Sequence, residues 1–221
     1  MKRTVIPELL DTDSGTPAEI AASLTDLSRI NQWFGGVRTT QALIERVAGR
    51  MGRRSLSLLE GAAGSGYVPE TVSKRLKTSG VSLEVTLLDR AASHIHNGQR
   101  AVAGDVLALP FADASFDLVS SCLFIHHLPP PDLLQSVNEG LRVCRIAVLI
   151  NDVVRNPLHL GLVYAGYPLY RGRLTRHDAP ASVRQAYTLK EMKQMLRQTT
   201  AARVEIRSHY LFRMGVIAWK S

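Results

Sequence analysis

The sequence predicts a three-layer α/β sandwich: a mostly parallel sheet covered by helices on both faces, closed by an antiparallel pair of strands. Three observations carry the prediction. Short apolar runs alternate with amphipathic helical stretches from residue 55 to residue 152. The runs are apolar on both of their faces, which a strand requires when helices cover it on either side. The chain then finishes on two β-like runs joined by a turn too short to hold a crossover helix.

The elements follow in order. IAASLTDLSRINQWF (20–34) places Ile20, Leu24, Leu27, Ile30 and Phe34 at steps of three and four, with Gly35-Gly36 as a stop, so it reads as a helix. TTQALIERVAGRM (39–51) has Leu43, Ile44, Val47 and Met51 on one face and reads as a second helix. The period then changes. SLSLLE (55–60) is a short apolar strand, ETVSKRLKTS (70–79) a helix, and VSLEVTLLD (81–89) a strand. Strand-like stretches recur at RAVAGD (100–105), FDLVSSCLF (116–124) and RIAVLIND (145–152), with a helix at PDLLQSVNEGLRV (131–143). Helix TLKEMKQMLRQT (188–199) precedes the final runs RVEIRSHY and LFRMGVIAWK.

At 221 residues, with 45% apolar and 21% charged composition, the chain suits one soluble domain. It divides into a helical cap (1–52), a core (53–152), a lid (153–187) and a closing helix and strands (188–221). No apolar run approaches the roughly 20 residues that span a bilayer, and MKRTVIPELLDTDSG lacks the apolar region of a secretory signal, so the expected location is cytoplasmic. Cys122 and Cys144 lie in strand-like runs without a metal-binding or redox spacing and are expected as core thiols. No cluster of His, Asp and Glu stands at ligand spacing, so no metal is expected; His94 and His96 are the nearest candidates and read as a helix start. The net charge of +8 is spread along the chain instead of gathered in one basic tract, which argues against a nucleic-acid partner. Monomer and homodimer both stay open.

The chemistry lies at the strand ends. In an open parallel sheet, ligands sit beyond the carboxyl ends of the strands, and small residues in the first strand-to-helix turn let the backbone approach them. LLEGAAGSGYVPE (58–70) supplies such a turn, but Pro69 stands where a dinucleotide fingerprint needs its third glycine. What remains is Glu60-x-Ala62-x-Gly64-x-Gly66, a carboxylate closing the strand before a bare turn, which suits a ligand with a cationic or hydrogen-donating group. The next strand ends in Asp89-Arg90, 23 residues after Gly66, where an acid can take both ribose hydroxyls. The third ends in Gly104-Asp105-Val106, and Asp105 offers a carboxylate to an adenine amino group.

LLEGAAGSG, LLDR, AGDVLALPFADASFDLV and SSCLFIHHL stand in the order and spacing of class I S-adenosylmethionine-dependent methyltransferases, which the chain resembles over about residues 55–150. HHL (126–128) is similar to the small-molecule branch that includes the ubiquinone and menaquinone biosynthesis methyltransferases. The resemblance implies a Rossmann-like fold and S-adenosylmethionine as cofactor. It places Glu60, Ala62, Gly64 and Gly66 at the methionine portion, Asp89 with Arg90 at the ribose, Asp105 and Val106 at the adenine, and Ser121 and Cys122 beneath the cofactor. Glu60-Gly61-Ala62 departs from the commoner D-x-G start: glutamate keeps the charge but reaches further. One of His126 and His127 reads as a residue that caps or packs beneath the site, with a catalytic role for either as the alternative.

The lid holds Tyr164, Tyr167 and Tyr170 and then Arg171, Arg173, Arg176, His177 and Asp178. Tyrosines give apolar faces with polar tips, suited to an aromatic or lipid-like acceptor. This segment is similar to that of bacterial methyltransferases of phenolic polyketide pathways, which implies methylation of a phenol or quinol oxygen, or of an activated ring carbon. His177, beside Asp178, is the expected base, because an imidazole pKa near 6.5 suits a phenol whose own is lowered by arginines; His159 is the alternative. The rival readings are an RNA methyltransferase, an NAD(P)-dependent reductase and a non-catalytic binding module. The first lacks an N-P-P-Y-like tetrapeptide and a Pro-Cys pair, and the second lacks its glycine and a Tyr-x-x-x-Lys pair.

Overall fold

The computed structural model describes residues 1–12, 14–90 and 100–221. Among these residues one sheet has seven strands: β1 (Ser55–Gly61), β2 (Ser82–Asp89), β3 (Ala101–Ala103), β4 (Phe116–Cys122), β5 (Cys144–Val153), β6 (Arg203–His209) and β7 (Arg213–Trp219). They lie in the order β3-β2-β1-β4-β5-β7-β6. The first five run parallel, and β7 is antiparallel to both β5 and β6. The expected sandwich with its closing antiparallel pair is therefore what the chain forms.

Seven helices accompany the sheet among the described residues: α1 (Pro17–Trp33), α2 (Gly36–Met51), α3 (Tyr67–Thr78), α4 (Pro130–Val143), α5 (Pro157–Ala165), α6 (Arg173–Gln185) and α7 (Leu189–Leu196). Sequence-neighbouring strand residues serve opposite layers. Leu58, Leu118 and Leu149 pack with Ile44 and Val47 of α2 and Val72 of α3, whereas Leu59, Val119 and Ile150 pack with Leu133 and Val137 of α4 and Met192 of α7. A side-chain period of two along a strand buried on both faces produces this division. Capping boxes start α1 (Thr16 with Glu19) and α7 (Thr188 with Glu191), where each threonine hydroxyl accepts from the third helical N–H.

One local feature differs from the sequence reading: Gly35, at φ 86°, turns the chain sharply enough for α2 to begin at Gly36 directly after α1. Trp33, at the end of α1, is exposed. Pro180 lies inside α6. No helix among the described residues is long and apolar enough to cross a membrane.

Two buried polar links set the helical cap on the sheet. The guanidinium of Arg213 on β7 donates to Phe34 O (3.2 Å) and to Asn31 Oδ1 (3.1 Å), joining the end of α1 to the sheet. Asp26 of α1 accepts from Arg171 N (2.7 Å) and Gly172 N (2.9 Å), which anchors the start of α6. A Cβ at Gly36 would lie 2.1 Å from Asn31 Oδ1 and 2.9 Å from Asn31 Cα. Gly36→Ala is thus expected to lower stability by about 1–3 kcal/mol, as overpacking does, read from the urea midpoint at unchanged m-value.

Candidate active site

The sheet order reverses between β1 and β4, since β1 leads to β2 on one side and β4 leads to β5 on the other. A cleft of about 480 Å³ opens there, beyond the carboxyl ends of the strands.

Its floor is built from strand ends. Glu60, at the end of β1, is buried, and its Oε2 accepts from Ser120 Oγ on β4. Burial outweighs that bond and one from the Cys122 backbone and raises its pKa to about 7. A carboxylate desolvated this far, with only neutral donors, fits a ligand that brings a cation. Ala62 (φ 52°), Gly64 (φ 51°) and Gly66 (φ 70°) hold the following turn in the left-handed region. Glycine takes this conformation freely, whereas Ala62 bears strain of the kind found at functional turns. Gly64 N donates to Asp89 Oδ2 (2.7 Å), tying the turn after β1 to the end of β2. Gly66 caps α3 and stands behind the lining residues.

The remaining expected residues divide. Val106 and Arg90 line the cleft. Asp105 does not line it: its oxygens accept from Leu107 N (2.9 Å) and from Arg90 Nη2 (2.5 Å), which hold its carboxyl below the usual range. Cys122 lines the cleft and is only half-buried as a residue, but Ser121 beside it does not. Burial pushes the Cys122 thiol up to about 12, so it remains protonated. Cys144 is buried, as expected.

The cover differs from the expected lid. It comes from Glu8, Leu10 and Asp11 and from Leu24, Leu27 and Asn31 of α1; of residues 153–187 only Ser182 lines the cleft. The lid tyrosines pack on one another instead, Tyr167 lying at a tilt between Tyr164 and Tyr170. His177, the expected base, is absent from the lining: its Nδ1 meets Asp178 Oδ1 (2.8 Å) and its ring is substantially exposed. Asp178 accepts from Leu9 N (2.8 Å) and Leu10 N (3.1 Å), so it fastens the chain's first residues to α6. His159 stacks on Phe212 and faces Val154 O (3.1 Å), away from the cleft. His94 and His96 lie outside the described residues.

The imidazoles in the cleft are His126 and His127, in the turn after β4. His126 is buried. Its Nδ1 lies 2.7 Å from Asp152 Oδ1 at the end of β5, and the His126 backbone N–H donates to Asp152 Oδ2. Burial alone would lower its pKa; Asp152 and Glu8 outweigh that and hold it at about 10. His127 Nδ1 meets Asp11 Oδ2 at 2.8 Å. Sequence reasoning missed Ser120, Glu8, Asp11 and Asp152. Only Asp152 carries a local signal, as an acid closing a strand.

Residues 59–148 match a family model described as a methyltransferase domain. The match runs from β1 into β5, the strands whose ends build the floor. The class I fold and S-adenosylmethionine as its cofactor accord with the floor described above. A protein of Encephalitozoon cuniculi (strain GB-M1) named as a methyltransferase is 68% identical over 31 residues, 14% of this chain and 15% of its own length. The plantazolicin methyltransferase BamL, solved with a triazolic desmethylPZN analog and SAH, superposes with a TM-score of 0.67 at 14% identity, covering 91% of this chain and 89% of that one. The citrinin polyketide synthase CMeT domain superposes at 0.59 with 14% identity, covering 84% of this chain and 52% of that one.

Two outcomes test the methyltransferase floor. Because Glu60 titrates at about 7 when free and a bound ammonium favours its ionised form, affinity for S-adenosylhomocysteine should be full above that pH. It should fall as pH drops below it, by at most about tenfold per unit; calorimetry across the range checks this, and Glu60→Gln should flatten the profile. Asp89→Ala should weaken the same binding by about ten- to a hundredfold, since Gly64 N in the turn after β1 loses its charged acceptor.

Proposed function

We propose that the chain methylates a small, planar, mostly apolar acceptor, at a phenol or quinol oxygen in preference to a ring carbon. The observation that carries this reading is the cleft's mixed lining. Glu60 enters it as a cation-seeking carboxylate, while Phe124, Leu128, Leu24 and Leu27 line the same cleft together with the imidazoles of His126 and His127. S-adenosylmethionine supplies the activated methyl group. The chain's part is to bind the acceptor in line with that methyl, exclude water and receive the acceptor's proton. An oxygen acceptor asks least of such a site, since a phenol needs only to lose one proton to become the nucleophile. The likeness to a natural-product methyltransferase and to a polyketide synthase domain supports a small-molecule acceptor.

The proton acceptor in this reading is a group of the cleft wall, because His177 lies outside the lining and Asp178 is engaged by backbone N–H groups. A panel of phenols and quinols assayed for methyl transfer, beside tRNA and DNA, tests the acceptor: turnover should appear with the phenols and change little with salt, whereas polyanion binding falls steeply with it. Robust nucleic-acid methylation at physiological salt would overturn the reading. His177→Ala should retain kcat within about threefold, against the hundredfold or more that loss of a general base costs.

A further inference from the structure

Two imidazoles and one carboxylate converge on the cleft wall. The ligand atoms of Glu8, His126 and His127 all lie within 4.8 Å of one another. Both rings are held by their far nitrogens: His126 Nδ1 against Asp152 (2.7 Å) and His127 Nδ1 against Asp11 (2.8 Å). Each Nε2 is thereby turned toward Glu8 Oε1, at 3.4 Å for His126 and 3.9 Å for His127. Ser182 Oγ (2.6 Å) and Gln185 Nε2 (2.8 Å) fix the Glu8 carboxylate from α6. His126 Nε2 is buried with no hydrogen-bond partner.

We propose that Glu8, His126 and His127 form a divalent transition-metal site of the zinc type, with Asp152 and Asp11 as the carboxylates that orient its two histidines. The spacing favours an ion over a direct bond. A charge-assisted imidazolium–carboxylate hydrogen bond closes to about 2.7–2.9 Å, but the two Nε2 atoms stand further off than that. Arms of about 2.0–2.1 Å in a tetrahedral site put neighbouring ligand atoms about 3.3–3.4 Å apart, close to the His126 distance. Histidines that bind a metal through one nitrogen characteristically donate the other N–H to a carboxylate, and both rings here meet that condition. Charge points the same way: a metal binds the rings in their neutral form, releasing the proton from His126, and Glu8, Asp11 and Asp152 then give the cluster three negative charges, two of which a divalent cation offsets. Three protein ligands leave a tetrahedral ion one open position, and this one opens on the cleft. In combination with the methyl-transfer reading, on which this extension rests, a phenol or catechol oxygen is the ligand of matching chemistry for that position.

The test uses the full chain, stripped of metal by chelation and dialysed against Zn²⁺ or Co²⁺, with bound metal counted by mass spectrometry and the Co²⁺ visible spectrum recorded. One ion per chain is expected, with the intense visible bands of a four-coordinate site. His127→Ala and Glu8→Gln should each weaken binding by at least about a hundredfold, Asp11→Asn by about 10–100-fold, and His177→Ala should leave it unchanged. Circular dichroism verifies that each variant is folded, and His127→Gln serves if His127→Ala is not. If the wild-type chain binds no metal at micromolar concentrations, or if folded His127 and Glu8 variants bind it as well as wild type, the proposal fails and the cluster is a protonated imidazole held between carboxylates. Because metal is counted without turnover, failure here leaves the methyl-transfer reading untouched, and failure of the phenol panel leaves the metal count untouched.

Discussion

The buried carboxylate of Asp178 holds the cover of the cleft in place. By accepting the backbone N–H groups of Leu9 and Leu10 it fixes the chain's first residues against α6, and only from there can Glu8 and Asp11 reach the imidazoles after β4. Arg3 strengthens the same attachment: its guanidinium donates to Gln185 O (2.6 Å) and His126 O (3.0 Å) and stacks over Tyr187. Backbone donors aimed at a buried carboxylate are costly to leave unpaired, so this seam opens as a unit or not at all. The lid residues therefore act by holding the cover. They do not form it.

On the floor, the constraint is desolvation. Glu60 has Ser120 and a backbone N–H for company, and neither carries charge. The parallel register sets Glu60 level with Ser120 across β1 and β4, so the hydroxyl that steadies the carboxylate is placed by the sheet itself. The next turn is held open by Asp89 through Gly64 N. Two acids at adjacent strand ends thus do different work: one is buried with neutral donors, the other shapes the turn beside it.

Much of this was legible in the sequence. The strands could be read because adjacent apolar residues, Leu58-Leu59 in SLSLLE and Ile146 to Ile150 in RIAVLIND, mark burial on both faces. Glu60 and Asp89 were legible as acids that end such runs. The cover of the cleft was not. Glu8 and His126 meet only because α6 presents Asp178, Ser182 and Gln185 to the same stretch of chain, and no local period or spacing encodes a three-body contact of that kind. His177-Asp178 misled for a related reason. A histidine beside an aspartate resembles a catalytic pair in one dimension, but on α6 the aspartate points to the backbone of Leu9 and the histidine to solvent.

The strand pairings show where this molecule is free to diverge. The buried apolar residues of β1, β4 and β5 belong to one of two packed layers, so a change there is felt as a defect in the sheet. The residues covering the cleft belong to another part of the chain, residues 8–31, fastened by a few polar bonds to α1, α6 and β7. Exchange of Leu24 or Leu27 alters the cleft's cover without touching the strand ends that form its floor. Cover and floor are thereby written in separate stretches of one chain, and a change in the first leaves the second as it was.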